Sequence, residues 1–181
     1  MSESGPIDPT NEAPDAGDWA ALARTASSRF RGTGDVDEDG ADLLRELLVF
    51  GLDGTAYAVP VERVREIVRM KALTHVPRAP GWLLGVVALR GEVVEVVDLR
   101  RRLGLGASVP DRTNRIIVLH GDADRVTGML VDSVSEVFRV RDDEVMPAQG
   151  LDVGSVSEIC RRGDEFVSIL DVERALGVSD G

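Results

Sequence analysis

The segment from Asp35 to Glu46 has acids at its first, third and fifth places, Gly40 at the sixth and Glu46 at the twelfth. That spacing suits a calcium loop, in which hard oxygen ligands surround a sharp glycine turn. Two features argue against it. Asp42 follows Ala41 where an apolar residue is usual, and Leu47 to Phe50 reads as a strand where an exiting helix is needed. The segment is therefore read as an acidic linker, and no metal is expected. His75 and His120 stand far apart with no converging partners, as a general base or metal site would require. Cys160 lies in an alternating apolar stretch and reads as a small core residue. The chain has no glycine-rich phosphate loop ending in Lys-Ser or Lys-Thr and no Gly-x-Ser-x-Gly nucleophile turn. The expectation is a protein that is not an enzyme and carries no cofactor.

Glu66 and Arg90 stand out more sharply. Each is a charge at the edge of a stretch dense in valine and leucine, so each needs a partner or an exposed rim. The surrounding sequence repeats. Val61-Glu62-Arg63-Val64-Arg65-Glu66-Ile67 returns as Val131-Asp132-Ser133-Val134-Ser135-Glu136-Val137, and Val97-Asp98-Leu99 through Leu105 returns as Leu170-Asp171-Val172 through Val178. Two motifs in one order at nearly one offset indicate a duplicated unit. The second copy keeps the acid as Glu136 and places Arg161 and Arg162 beside Gly163.

The elements that position these charges are short. Asp53-Gly54 and Arg90-Gly91 separate apolar β-prone runs, which signals tight hairpins. Asp98 and Asp171 are placed to cap short helices that Gly104 and Gly177 end. Short strands at regular spacing without a long helix predict small barrels or a sandwich, with the two copies packed on each other because neither buries much alone.

The folded region is expected to begin near Leu43. Residues 1–42 carry ten acidic and three basic side chains of a chain whose formal net charge is -11, so the remainder holds only -4. Concentrated charge with low hydrophobicity reads as a mostly disordered tail. Within it, Trp19, Leu22, Ala23, Ala26 and Phe30 share a helical face behind Asp18. This stretch reads either as a short docking helix over 18–30 or as an alanine-rich solubilising arm. The negative balance disfavours nucleic acid and anionic membrane as partners. A single cysteine and the lack of a visible secretory signal or membrane span lead to the expectation of a cytoplasmic protein.

From about Leu43 to Val178 the chain resembles the CheW-like chemotaxis coupling proteins. The resemblance is carried by Phe50, Tyr57-Ala58-Val59-Pro60-Val61, Val64, Glu66-Ile67, Val76-Pro77, Gly85 through Gly91, Val97-Asp98-Leu99, Gly128 through Asp132 with Val134, and Ile169-Leu170-Asp171. It implies an all-β fold over 43–181: two tandem five-stranded SH3-like barrels, a first and a second from the duplication, related by a pseudo-twofold around a shared aliphatic core. It also implies a non-catalytic adaptor that couples a chemoreceptor's cytoplasmic tip to the regulatory domain of a CheA-type histidine kinase. Val61, Val64 and Ile67 would then line a receptor groove between the barrels. Glu66, Leu89, Arg90 and Gly91 would serve coupling to kinase or receptor. Ala88, where the family usually has Asn, and Glu95, where Pro is common, depart from the pattern at the hairpin expected to face partners. The alternatives are a stand-alone kinase-regulatory-type barrel, or a coupling protein for a non-chemotactic pathway of similar design.

Overall fold

The computed structural model describes residues 43–107, 109–121, 125–148 and 154–177. The proposed helix over 18–30 and the first eight places of the calcium pattern lie outside these residues. The twelfth place, Glu46, sits in a strand and pairs with Arg139 at 2.7 Å.

Each copy folds as a hairpin, a turn, a strand and a second hairpin that feeds a one-turn helix. In the first copy these are β1 (Leu44–Leu52), β2 (Thr55–Pro60), a 3-10 turn (Val61–Arg63), β3 (Val64–Arg69), β4 (Leu83–Leu89), β5 (Glu92–Asp98) and α1 (Leu99–Arg102). The second copy runs β6 (Arg115–His120), β7 (Val126–Val131), β8 (Ser133–Arg141), a 3-10 turn (Asp142–Glu144), β9 (Val145–Pro147), β10 (Val156–Arg162), β11 (Glu165–Leu170) and α2 (Val172–Leu176). Local chemistry accounts for the boundaries. Asp53 and Gly54 both have positive φ, as do Arg90 and Gly91, the pairing that a two-residue hairpin turn of the primed type needs. Asp98 accepts from the Arg101 amide and Asp171 from the Arg174 amide, so both helices start on a carboxylate cap.

The strands of the two copies are shared between the barrels. The first barrel has the order β3-β6-β7-β5-β4, and the second β8-β1-β2-β11-β10-β9. Each copy therefore contributes its leading hairpin to the other copy's barrel. The exchanged hairpins are seated by parallel pairing, β7 on β5 and β2 on β11. The second sheet also has six strands rather than five, because the short β9 pairs with β10. Its counterpart in the first barrel is a single bridge, Thr74 to Val86, which brings the chain after β3 onto β4 and closes the sheet.

Gly85 makes that closure possible. Its φ is +147°, and a Cβ there would lie 2.4 Å from the Thr74 carbonyl oxygen. Gly85→Ala is expected to lower stability by roughly 3 kcal/mol, since it adds backbone strain to a clash with an immovable carbonyl. Chemical denaturation with an unchanged m-value would measure the loss.

One aliphatic cluster fills the seam between the barrels. Leu48, Phe50, Leu52 and Val59 approach it from the second barrel, Ile67, Ile117, Leu119 and Met129 from the first, and Leu99 and Leu176 from the helices. Smaller clusters fill each barrel. Ion pairs reinforce the exchange at equivalent places with reversed polarity. Arg63, in the first copy's turn, pairs with Glu173 on α2. Arg100, on α1, pairs with Asp53 at the β1–β2 turn and reaches Asp132, between β7 and β8, at 3.7 Å. Arg45 on β1 makes a two-point contact with Glu158 on β10, 3.1 and 2.7 Å long, and this contact holds its guanidinium above the ordinary pKa.

Candidate functional site: the charged rims of the two barrels

Glu66 lies on β3 and Arg90 at the β4–β5 turn. These strands are the two edges of the first sheet, so the residues meet only because the sheet closes. Arg90 Nε stands 3.5 Å from Glu66 Oε2. Beside them Arg65 pairs with Glu92 at 2.5 Å, so two ion pairs of opposite sense span the closure. The exposure is unequal: the Glu66 side chain is 14% exposed and that of Arg90 69%. A separation of 3.5 Å is longer than the roughly 2.7–2.9 Å of a strong charge-assisted hydrogen bond. Glu66 thus orients the guanidinium while leaving most of its donors facing outward. Arg90 also holds a left-handed backbone with φ of +51°, rare for a side chain of its size, and Gly91 follows at +85°. Leu89 is buried below the turn and anchors it.

The second barrel repeats the device. Glu136 on β8 meets Arg162 at the end of β10 at 3.1 Å, and Arg162 also holds Glu165 at 2.8 Å. Here the arginine is the shielded partner, 24% exposed against 57% for Glu136. The two rims are alike in position and opposite in the charge they present.

Exposed apolar side chains mark the same two places. Val93 is 73% exposed and Phe166 61%. They occupy equivalent positions on β5 and β11, each beside its hairpin turn. Reasoning on the sequence missed both, although the repeat aligns them and predicts matching roles. Ala88 is exposed and directly opposite Val93 in the pairing of β4 with β5. Its short side chain leaves Val93 bare. Glu95 is exposed on β5 and reaches Arg125 at 3.4 Å.

Val61, Val64 and Ile67 are only 7, 9 and 7% exposed. They belong to the apolar cluster between the barrels. Half-buried Leu103, Leu105, Val134, Val137 and Val156 border the cluster and form its rim.

The remaining residues singled out for chemistry do not converge. His75 and His120 are both exposed on separate elements. Among the described residues no group of three or more His, Cys, Asp or Glu side chains is placed to hold a metal ion. Cys160 is fully buried, and burial pushes its thiol pKa up. It is expected to resist a disulfide-exchange reagent at pH 8 in the native protein and to react at once in denaturant, as a thiol titration would read.

Two interlocked small barrels thus present matching charged rims with bare apolar side chains beside them. A family model described as the CheW-like domain matches residues 46–179, and the chain belongs to the CheW-like family. It is 38% identical over 103 residues to the chemotaxis protein CheW of Rhizobium meliloti, covering 57% of this chain and 66% of that one, just under two thirds of its length. It is 30% identical over 150 residues to the chemotaxis protein CheW of Helicobacter pylori, covering 79% and 87%. The crystal structure of the scaffolding protein TtCheW from Thermoanaerobacter tengcongensis is similar with a TM-score of 0.67 at 26% identity, over 71% of this chain and 90% of that one. Among the described residues no helix is long and apolar enough to cross a membrane.

Proposed function

We propose that this protein is a non-catalytic, cytoplasmic adaptor in chemotaxis signalling that couples a chemoreceptor's cytoplasmic tip to the regulatory domain of a CheA-type histidine kinase. The observation that carries this reading is the Glu66–Arg90 pair, with its shielded acid and outward-facing guanidinium. An acid held beside the arginine biases its direction before any partner arrives, which lowers the ordering cost of binding. Val93, next to the same turn, supplies apolar area that a polar rim lacks. The kinase is assigned to this rim of the first barrel.

The receptor is assigned to the seam. Its helical hairpin would lie over half-buried Leu103, Leu105, Val134, Val137 and Val156, in the helix-in-groove mode. Val61, Val64 and Ile67 would support that surface from below. The relatives above are named as chemotaxis and scaffolding proteins, which favours an adaptor over a detached kinase-regulatory barrel or a non-chemotactic pathway. Titration of the full chain with a CheA regulatory domain and, separately, with a receptor signalling fragment tests the assignment. Saturable binding to each is expected, with Arg90→Ala weakening the kinase titration; failure to bind either defeats the proposal.

A further inference from the structure

The register of the first barrel brings several scattered cations to one end. Arg69, at the end of β3, is directly opposite Arg115, at the start of β6. Arg115 is in turn opposite Val131, at the end of β7, while Asp98, at the end of β5, faces Leu130. Leu83, at the start of β4, faces Val97. The β3–β4 loop, α1 and the approach to β6 therefore gather at the end away from the Arg90 turn. Arg101 donates to the Gly81 carbonyl at 2.7 Å, and the Arg102 guanidinium lies 5.2 Å from the Trp82 ring centre, which ties α1 to that loop.

Residues 69–82 and 98–115 together hold eight Lys and Arg against two Asp, a net of +6. Residues 43–181 total -4, so everything else in that span sums to -10. Among the described residues Lys71, Arg78, Arg102, Arg112 and Arg115 form no ion pair with a carboxylate. Lys71, Arg78 and Arg112 are exposed.

The acidic counterpart is in the same chain. Residues 1–23 carry Glu3, Asp8, Glu12, Asp15 and Asp18 and no Lys or Arg. The chain enters the fold at Leu44, at the opposite end of the nine-residue strand β1 from the Asp53 turn, which Arg100 of α1 grips. That separation is about 30 Å at about 3.3 Å per residue. The 25 residues from 19 to 43 reach up to about 85 Å when extended, so the span is easily covered. We propose that the stretch from Glu3 to Asp18 docks on the basic end of the first barrel, as an internal, salt-sensitive contact that leaves the Arg90 rim free.

The test uses the full chain with Ala13→Cys carrying a nitroxide. Cys160 is 0% exposed and stays unlabelled. At low ionic strength the amide signals of Lys71, Arg78, Arg102 and Arg112 are expected to lose at least about half their intensity. They should recover near 1 M salt, where the screening length falls to about 3 Å. Reversal of two exposed charges, Arg78→Glu with Arg112→Glu, should abolish the effect while the amide spectrum stays dispersed. A mixture of spin-labelled chain with isotope-labelled, spin-free chain should show none of it. Broadening that is uniform, that centres on the Arg90 turn, that ignores salt, or that appears in the mixture would overturn the proposal. If the double variant fails to fold, the salt response of the parent decides.

Discussion

Arg90→Ala is expected to fold as the parent does and to bind the kinase regulatory domain roughly 30-fold or more weakly, a loss of about 2 kcal/mol. The two effects separate because the pair is loose and its arginine exposed. In the free protein the Arg90 side chain is 69% exposed and 3.5 Å from Glu66. A pair of that kind stabilises a fold by about 1 kcal/mol at most. In a complex the same guanidinium would be shielded from water, and its removal would leave a partner's acid without a counter-charge. Arg90→Lys should recover part of the binding, because it keeps the charge but not the planar two-point geometry. Calorimetric titration alongside a melting curve checks both halves. A variant that melts well below the parent, or binds as tightly, would show that the pair serves closure of the barrel alone.

Val64→Arg is the second large effect, and its direction differs from what an open groove would give. Val64 is 9% exposed and packed in the seam with residues of both barrels. A guanidinium there loses its hydration and displaces aliphatic neighbours, so a loss on the order of 4 kcal/mol or more is expected. Because the seam joins exchanged hairpins, the loss should appear as one cooperative unfolding transition shifted to lower denaturant. Val137→Ser, on the half-buried rim, is the contrasting change: it should cost little stability and weaken receptor binding. If Val64→Arg folds normally and loses only receptor binding, Val64 lines a groove after all.

What the sequence made legible follows from locality. Asp53-Gly54 and Arg90-Gly91 announced their hairpins because positive φ at both central residues is a demand that few residue pairs meet. Asp98 and Asp171 announced their helices because a carboxylate cap acts within three residues. The meeting of Glu66 with Arg90 was suggested by charges isolated among apolar residues and by the second copy's matching charges. The exchange of hairpins was not legible. β1–β2 and β6–β7 have the same alternation, so either pair satisfies either barrel by pattern alone, and the choice rests on the parallel contacts of β2 with β11 and β7 with β5. The same ambiguity hid the burial of Val61, Val64 and Ile67, since a groove floor and a seam show one apolar periodicity. β9 escaped because three residues ending at Pro147 are too few to show a period. The basic end of the first barrel is spread over two separate stretches, residues 69–82 and 98–115, and only strand register collects it.

The most direct measurement of the adaptor role is the autophosphorylation rate of the CheA-type kinase, reconstituted with a membrane-borne receptor fragment, with and without the full chain. The expected result is that the receptor changes the kinase rate only when the chain is present, and that Arg90→Ala removes this dependence although the variant remains folded. Receptor control of the kinase that is the same without the chain would contradict the adaptor role. Equal control with Arg90→Ala and the parent would contradict the placement of coupling at the Glu66–Arg90 rim.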